Sequence, residues 1–352
     1  MRFIGNKDRL IDRIYETLDA HKVSGETFYD FFAGTATVGR YFKEKGYNVC
    51  SSDIMYFSYC LQRAYIQNND RPTFEKLFRY LKLTDNNQSA FEVIIAYLND
   101  IKPAKGFIYQ HYSPQGSSQL ASPRMYFSNE NAKKIDAIRQ TIEHFNEENL
   151  LTEDEYFVLI ACLVESVGFY SNIAGVYAAY HKKWDPRAVK PFTLRAIVLS
   201  TNYSHAGKAY NLDSMDMLDS IDVDILYLDP PYNARQYAPN YHILETIAKY
   251  DNPDIKGMTG MRDYKEQKST FCNAKTAISD LDKIAKTAKF KYLLLSYNNE
   301  CIMLTEDILR TLGNYGKTDL VEYDYRRFKS NNNGEGKTQK HIKEQLYILK
   351  KS

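Results

Sequence analysis

The chain has 352 residues, with 46 Lys and Arg against 44 Asp and Glu and a net charge of +2. That length is generous for a single hydrophobic core and suits a catalytic domain with a second module, while the small net charge excludes a protein that gathers nucleic acid through its overall field. The five scattered cysteines, Cys50, Cys60, Cys162, Cys272 and Cys301, form no CxxC pair, and no run approaches the ~20 apolar residues of a membrane span, so a soluble cytoplasmic protein without metal or membrane partner is expected.

Leu10, Ile11, Ile14, Tyr15 and Leu18 recur at helical spacing and predict an amphipathic helix over 8–20, with Asp8 as its cap. The run 26–32 then predicts a strand, followed by a turn at Ala33-Gly34-Thr35-Ala36 and a helix to Lys45. A second short strand, 47–51, delivers Ser52-Asp53. From 54 to 194 helical patterns dominate, as in 90–101, 132–145 and 155–167, and this region reads as an insertion. Alternation resumes at Asp213, with strands at 221–228 and 292–296, a helix near 243–249 and a closing hairpin from 320–327 and 342–349.

This pattern predicts an α/β fold: a doubly wound, mostly parallel Rossmann-like sheet with a C-terminal antiparallel hairpin and a mainly helical inserted domain. Residues 1–53 and 195–352 are expected to build the catalytic domain, and 54–194 the inserted domain.

Two motifs carry the chemistry. The turn at Gly34 leads into a helix whose N-terminus favours an anionic group, and Asp53 stands where an acid accepts hydrogen bonds from ribose hydroxyls. That pair alone suits NAD as well as S-adenosylmethionine. The second motif, Asp229-Pro230-Pro231-Tyr232, follows the apolar strand Ile225-Leu226-Tyr227-Leu228. Neither proline has an N–H, so the turn is stiff and the Pro230 carbonyl is held in place. An amine conjugated to a planar ring is a poor nucleophile. The Asp229 carboxylate and the Pro230 carbonyl can each accept one of its N–H groups and turn its lone pair toward a methyl sulfonium, while Tyr232 stacks on the ring. A base in a duplex reaches such a pocket only by flipping out.

At these residues the chain resembles the D12-class DNA adenine methyltransferases, the family of Dam-like and FokI-type methylases. Phe3-Ile4-Gly5-Asn6-Lys7 is similar to the family's N-terminal element, Asp30-Phe31-Phe32-Ala33-Gly34 to its cofactor loop, Asp53-Ile54 to its ribose-binding acid and flank, and Asp229 to Tyr232 to its catalytic loop. The resemblance implies site-specific methylation of adenine N6 in double-stranded DNA, in a prokaryotic host and alongside a restriction endonuclease. It implies S-adenosylmethionine as donor, S-adenosylhomocysteine as product, and no metal. By the same resemblance Phe3, Gly5, Lys7, Asp30, Phe31, Ala33, Gly34, Asp53, Ile54, Asp213 and Asp229 line the cofactor site, and the insertion is the target-recognition module. Many members carry a second glycine where this chain has Ala36.

For DNA, Lys182, Lys183, Arg187, Lys190, Arg195 and Lys208 stand against Asp185 alone, with Trp184 interleaved, a pattern suited to phosphate contacts. Lys102, Lys105 and Arg124 form a second basic stretch, and Arg235 and Tyr237 lie just past the catalytic turn. Lys329, Lys337, Lys340 and Lys343 in the late loop either clamp a backbone or keep a hairpin tip soluble. The competing functions are methylation of an RNA adenine, a DNA cytosine or a protein glutamine, or a non-catalytic DNA-binding or NAD-binding protein that kept the fold.

Overall fold

The computed structural model describes residues 3–84, 89–205, 207–299, 301–326 and 341–352. Lys329, Lys337 and Lys340 lie outside the described residues. In chain order the elements are α1 (Ile11–Ala20), β1 (Thr27–Asp30), α2 (Thr37–Glu44), β2 (Asn48–Asp53), α3 (Tyr56–Gln62), α4 (Glu75–Leu81), α5 (Ala90–Asp100), α6 (Phe107–Tyr112), α7 (Asn129–Glu147), α8 (Glu153–Val167), β3 (Lys208–Asn211), β4 (Asp222–Leu228), α9 (Tyr237–Lys249), β5 (Ile255–Lys256), β6 (Met261–Arg262), α10 (Ala277–Thr287), β7 (Lys289–Asn298), α11 (Thr305–Gly313), β8 (Gly316–Arg326) and β9 (His341–Lys351).

They form two compact units. The sheet unit comprises Ile4–Gln62, Tyr203–Ala238 and Tyr264–Ser352; the helical unit comprises Phe3, Arg63–Asn202 and Pro239–Asp263. The sheet has seven strands in the order β3-β2-β1-β4-β7-β9-β8. β3, β2, β1, β4 and β7 run parallel, and β9 runs antiparallel between β7 and β8. This is the expected doubly wound sheet with its closing hairpin. β3 escapes a sequence reading because its four residues, Lys-Ala-Tyr-Asn, have no alternation of their own and gain strand geometry from pairing with β2.

Phe28 on β1 stacks on Phe42 of α2 at 3.9 Å between ring centroids, which seats that helix on one face. Leu281 and Ile284 of α10, Ile308 and Leu312 of α11, and Leu226, Leu228, Leu293 and Leu295 share one buried cluster. Asp8 does not cap α1. The helix starts after Leu10, which makes no side-chain cap, and the first turn instead closes on the Lys7 carbonyl through the N–H groups of Leu10 and Ile11, at 2.8 and 2.9 Å.

The helical unit is built around α8, most of whose residues are buried and whose N-terminus carries a capping box from Thr152 and Glu155. Its composition differs from the expected 54–194. Residues 54–62 belong with the sheet, because α3 buries Phe57, Cys60 and Leu61 there. Residues 239–263 join the helices instead, drawn in by polar groups that find partners there. Arg139 donates to the Ile247 and Ala248 carbonyls at 3.0 and 3.2 Å, and the Tyr250 hydroxyl donates to Asp136 at 2.7 Å.

Candidate active site

The parallel strands leave a row of acids at one edge. Asp30 ends β1, Asp53 ends β2, Asp213 follows β3 and Asp229 follows β4. The strand order reverses between β1 and β4, the position where open α/β sheets hold ligands beyond the carboxyl ends of their strands.

On the β1 side, Gly34 has φ +52° and Ala36 has φ +59°, so the loop turns twice through left-handed backbone before α2 begins. Ala36 occupies a conformation that costs a side-chain-bearing residue roughly 1–2 kcal/mol, a cost that glycine would not carry. The Gly34 N–H donates to Asp53 Oδ2 at 2.8 Å and the Met55 N–H to Asp53 Oδ1 at 2.8 Å. Asp30 is buried and its Oδ2 accepts from the Gly39 N–H at 3.1 Å, while its Oδ1 is buried with no hydrogen-bond partner among the described residues. Burial, and then the charge of Asp229, push the Asp30 carboxyl up to about 8.

The Ala33 N–H donates to the Ser52 carbonyl at 3.1 Å, and Phe31, fully buried, offers its carbonyl to the Ser214 hydroxyl at 2.7 Å. Asp213 caps the short turn that begins at Ser214, accepting from the Met215 N–H at 3.0 Å. The Ile54 carbonyl accepts from Asn211 at 3.2 Å and from Gln267 at 3.4 Å.

On the β4 side, Asp229, Tyr232, Lys7 and Glu344 form one cluster. The Tyr232 hydroxyl donates to Asp229 Oδ1 and accepts from the Lys7 ammonium. Lys7 Nζ lies 3.4 Å from Asp229 Oδ1 and 3.3 Å from Glu344 Oε2, and 4.8 Å from the centre of the Tyr232 ring. Burial by itself disfavours the Lys7 ammonium, yet Asp229 and Glu344 outweigh it and its pKa lies above the ordinary lysine value. Burial pushes the Asp229 carboxyl up to about 6, Lys7 and the Tyr232 hydrogen bond pull against it, and Glu344 pushes with it. Gly5 makes the approach of the N-terminal segment feasible: with φ +80°, a Cβ there would lie 3.1 Å from the Tyr232 ring.

Pro230 and Pro231 are buried, and the loop is fastened downstream. Gln236 and Ser269 exchange two hydrogen bonds, Gln236 Nε2 to the Ser269 carbonyl at 3.0 Å and the Ser269 N–H to Gln236 Oε1 at 2.8 Å. The Ile302 N–H donates to the Tyr232 carbonyl at 3.3 Å. Arg235 is exposed, and Tyr237 opens α9.

The fold thus brings together Gly5, Lys7, Asp30, Phe31, Ala33, Gly34, Asp53, Ile54, Asp213, Asp229, Pro230 and Tyr232 in one unit. Phe3 belongs to the helical unit, stacked on Tyr241 at 4.3 Å. Lys182, Lys183 and Arg187 also lie there; the two lysines are exposed, and Arg187 is paired with Asp185 at 2.5 Å. Arg124, part of the second basic stretch, is only 6% exposed and donates to the carbonyls of Gly257, Met258 and His111, which makes it a bracket for the β5–β6 hairpin. Lys343 pairs with Glu322 at 2.7 Å.

Glu344 is the residue the sequence reading missed. Its signal was weak because 344–349 are buried on both faces of the strand, so alternation does not set an inward acid apart. Among the described residues no group of three or more His, Cys, Asp or Glu side chains could hold a metal ion, and no helix is long and apolar enough to cross a membrane.

A carboxylate and a rigid carbonyl beside an aromatic ring, at the end of the fourth parallel strand and next to a glycine turn, suit the activation of a planar amine. Residues 3–309 match the family model described as D12 class N6 adenine-specific DNA methyltransferase. The chain is 40% identical over 339 residues to the type II methyltransferase M.FokI of Planomicrobium okeanokoites, with 94% of this chain and 50% of that protein covered. It is 37% identical to the modification methylase StsI of Streptococcus sanguinis, covering 94% of this chain and 49% of that one. Against the type II methyltransferase M.NlaIII of Neisseria lactamica it is also 37% identical, with 94% and 93% covered. The chain therefore spans about half the length of the first two relatives and nearly all of the third. With its matched motifs in order and its acids along the sheet edge, this chain belongs to the D12 class N6 adenine-specific DNA methyltransferases.

Proposed function

We propose that this protein transfers a methyl group from S-adenosylmethionine to the N6 amino group of adenine at a specific site in double-stranded DNA, as the modification partner of a restriction endonuclease. The observation that carries the reading is the Asp229-Pro230-Pro231-Tyr232 loop, held at the end of β4 with Lys7 against its carboxylate, in a chain whose relatives are named as type II and modification methylases. A soluble enzyme of the prokaryotic cytoplasm fits this role.

S-adenosylmethionine supplies an electrophilic methyl group and leaves as S-adenosylhomocysteine. The residues present fit it. The orphaned Asp30 Oδ1 suits the donor's ammonium, whose positive charge would favour the ionised carboxylate there, the Gly34 turn and Phe31-Phe32-Ala33 give it a backbone cradle, Asp53 and Ile54 suit the ribose, and Asp213 suits the adenine amine. Asp229 and the Pro230 carbonyl accept the two N–H groups of the flipped base, and the Tyr232 ring stacks on it. The Tyr232 hydroxyl already occupies Asp229 Oδ1, so the substrate amine takes the place of that hydroxyl. With its carboxyl near 6, Asp229 is ionised at neutral pH and can accept. For the duplex, Lys182 and Lys183 supply phosphate contacts, and Arg235 and Tyr237, beside the catalytic loop, contact the DNA around the flipped base; Arg187 contributes after exchanging Asp185 for a phosphate.

The test is expression in a host that lacks DNA methylation, followed by sequencing of its genomic DNA for modified adenine. N6-methyladenine at one recurrent sequence is expected. A folded, expressed protein that leaves the DNA unmodified overturns the reading, and methyl transfer to RNA but not duplex DNA in a labelled-donor assay replaces it.

A further inference from the structure

Three charges meet where one pair would suffice. Lys7 is already neutralised by Asp229 at 3.4 Å, yet Glu344 on β9 approaches the same ammonium to 3.3 Å. Glu344 lies beyond residue 309, where the family match ends, on the strand that pairs Asn298 of β7 on one side and Tyr323 of β8 on the other. A carboxylate buried in the middle of a sheet is costly, and its neighbours Leu346 and Ile348 show that the strand accepts apolar side chains there. Packing therefore gives Glu344 no purpose. Its presence leaves the trio with one surplus negative charge, whereas Lys7 and Asp229 alone would sum to zero.

We propose that Glu344 is a positioning residue for the methyl-transfer site: by sharing the Lys7 ammonium it keeps Lys7 from neutralising Asp229, so that Asp229 stays a strong acceptor for the amine N–H. This rests on the function proposed above. As the nitrogen bonds to the methyl carbon it gains positive charge, which the surplus negative charge of the trio stabilises. The other titratable groups facing Asp229 are Tyr232 on its own loop, Asp30 of β1, Tyr227 of β4 and Cys301; Tyr232 hydrogen-bonds the Lys7 ammonium, and Cys301 lies within electrostatic reach of it.

The test compares E344Q and E344D with the wild type. In E344Q kcat falls about tenfold, less than the roughly hundredfold of losing a group that touches the reacting charge. The acid limb of its pH profile moves to lower pH, because removing a negative neighbour favours ionised Asp229. E344D keeps the charge and restores both. A purely structural role lowers stability without moving that limb. The second readout needs neither DNA nor donor: urea unfolding at about pH 4 to about pH 6, where the raised Asp229 carboxyl costs the wild type stability as pH rises and costs E344Q less. Coincident acid limbs and parallel unfolding curves overturn the proposal. If E344Q does not fold, E344D decides, since a wild-type acid limb and wild-type pH dependence of unfolding support shared charge, and a shifted limb overturns it. If the wild type itself modifies no DNA, the proposed function fails while the unfolding comparison still judges the Glu344 contact.

Discussion

The two units use their charged side chains in opposite ways. At the edge of the sheet, Asp30, Asp229, Lys7 and Glu344 are crowded together: Asp30 keeps an oxygen without a hydrogen-bond partner among the described residues, and the carboxyls of Asp30 and Asp229 are pushed up to about 8 and about 6. In the helical unit, buried charges are employed as brackets. Arg124 holds three carbonyls, and Arg139 holds two carbonyls and Glu143. Perturbed, unsatisfied groups in a cleft are where chemistry is found, whereas satisfied ones give a unit its shape. Buried charge alone does not mark a site.

This contrast can be broken at several points. Asp229→Ala is expected to lower methyl transfer by about a thousandfold while the unfolding midpoint in urea changes little, since it removes a group aimed at the reaction; a retained rate breaks the contrast at its strongest point. Arg124→Ala is expected to act in the reverse sense, losing about 3 kcal/mol of stability because three buried carbonyls lose their donor, with the activity of whatever remains folded largely intact. Unchanged stability with lost DNA affinity would return Arg124 to the DNA surface.

The pH dependence of Asp30 sharpens the same point. Its folded pKa, about 8, is above the unfolded 3.8, so the folded state holds the proton more tightly and stability falls as pH rises from about 4 to about 8, by about 1.4 kcal/mol for each pH unit crossed. Asp30→Asn keeps an oxygen for the Gly39 N–H and removes the titration. Its unfolding free energy, compared with the wild type, is expected to gain between about pH 5 and about pH 8, and a parallel dependence in both proteins sinks the account. The smallest expected effect is at the exposed lysines of the helical unit. Lys182→Ala with Lys183→Ala is expected to lower the salt slope of DNA binding by about two, without loss of stability. An unchanged slope means that those charges only keep the surface solvated.

Much of the sheet unit was legible because its signals are local. Apolar strands end in turn residues, the Asp229-Pro230-Pro231-Tyr232 loop carries its own rigidity, and Gly34 announces a turn, which the structure shows with Gly34 at φ +52°. β3 and Glu344 were not legible, since one is a strand only by pairing with β2 and the other is recognisable only by its closeness to Lys7 across the whole length of the chain. Arg124 was not legible for the same reason: sequence shows that a cation is present, and only the fold shows that three carbonyls already hold it.

By itself the sequence determined the alternation of strands and helices, the doubly wound sheet, the order of the motifs and the chemistry those motifs can perform, because each depends on residues close together in the chain. The tertiary structure decided which charges are satisfied by partners and which are left crowded, that 239–263 belongs with the helices, and that the first and last segments of the sheet unit close on Asp229 through Lys7 and Glu344. Electrostatic coupling depends on distance and burial, and neither is set until the β7–β9–β8 pairing brings the terminal strand to the site.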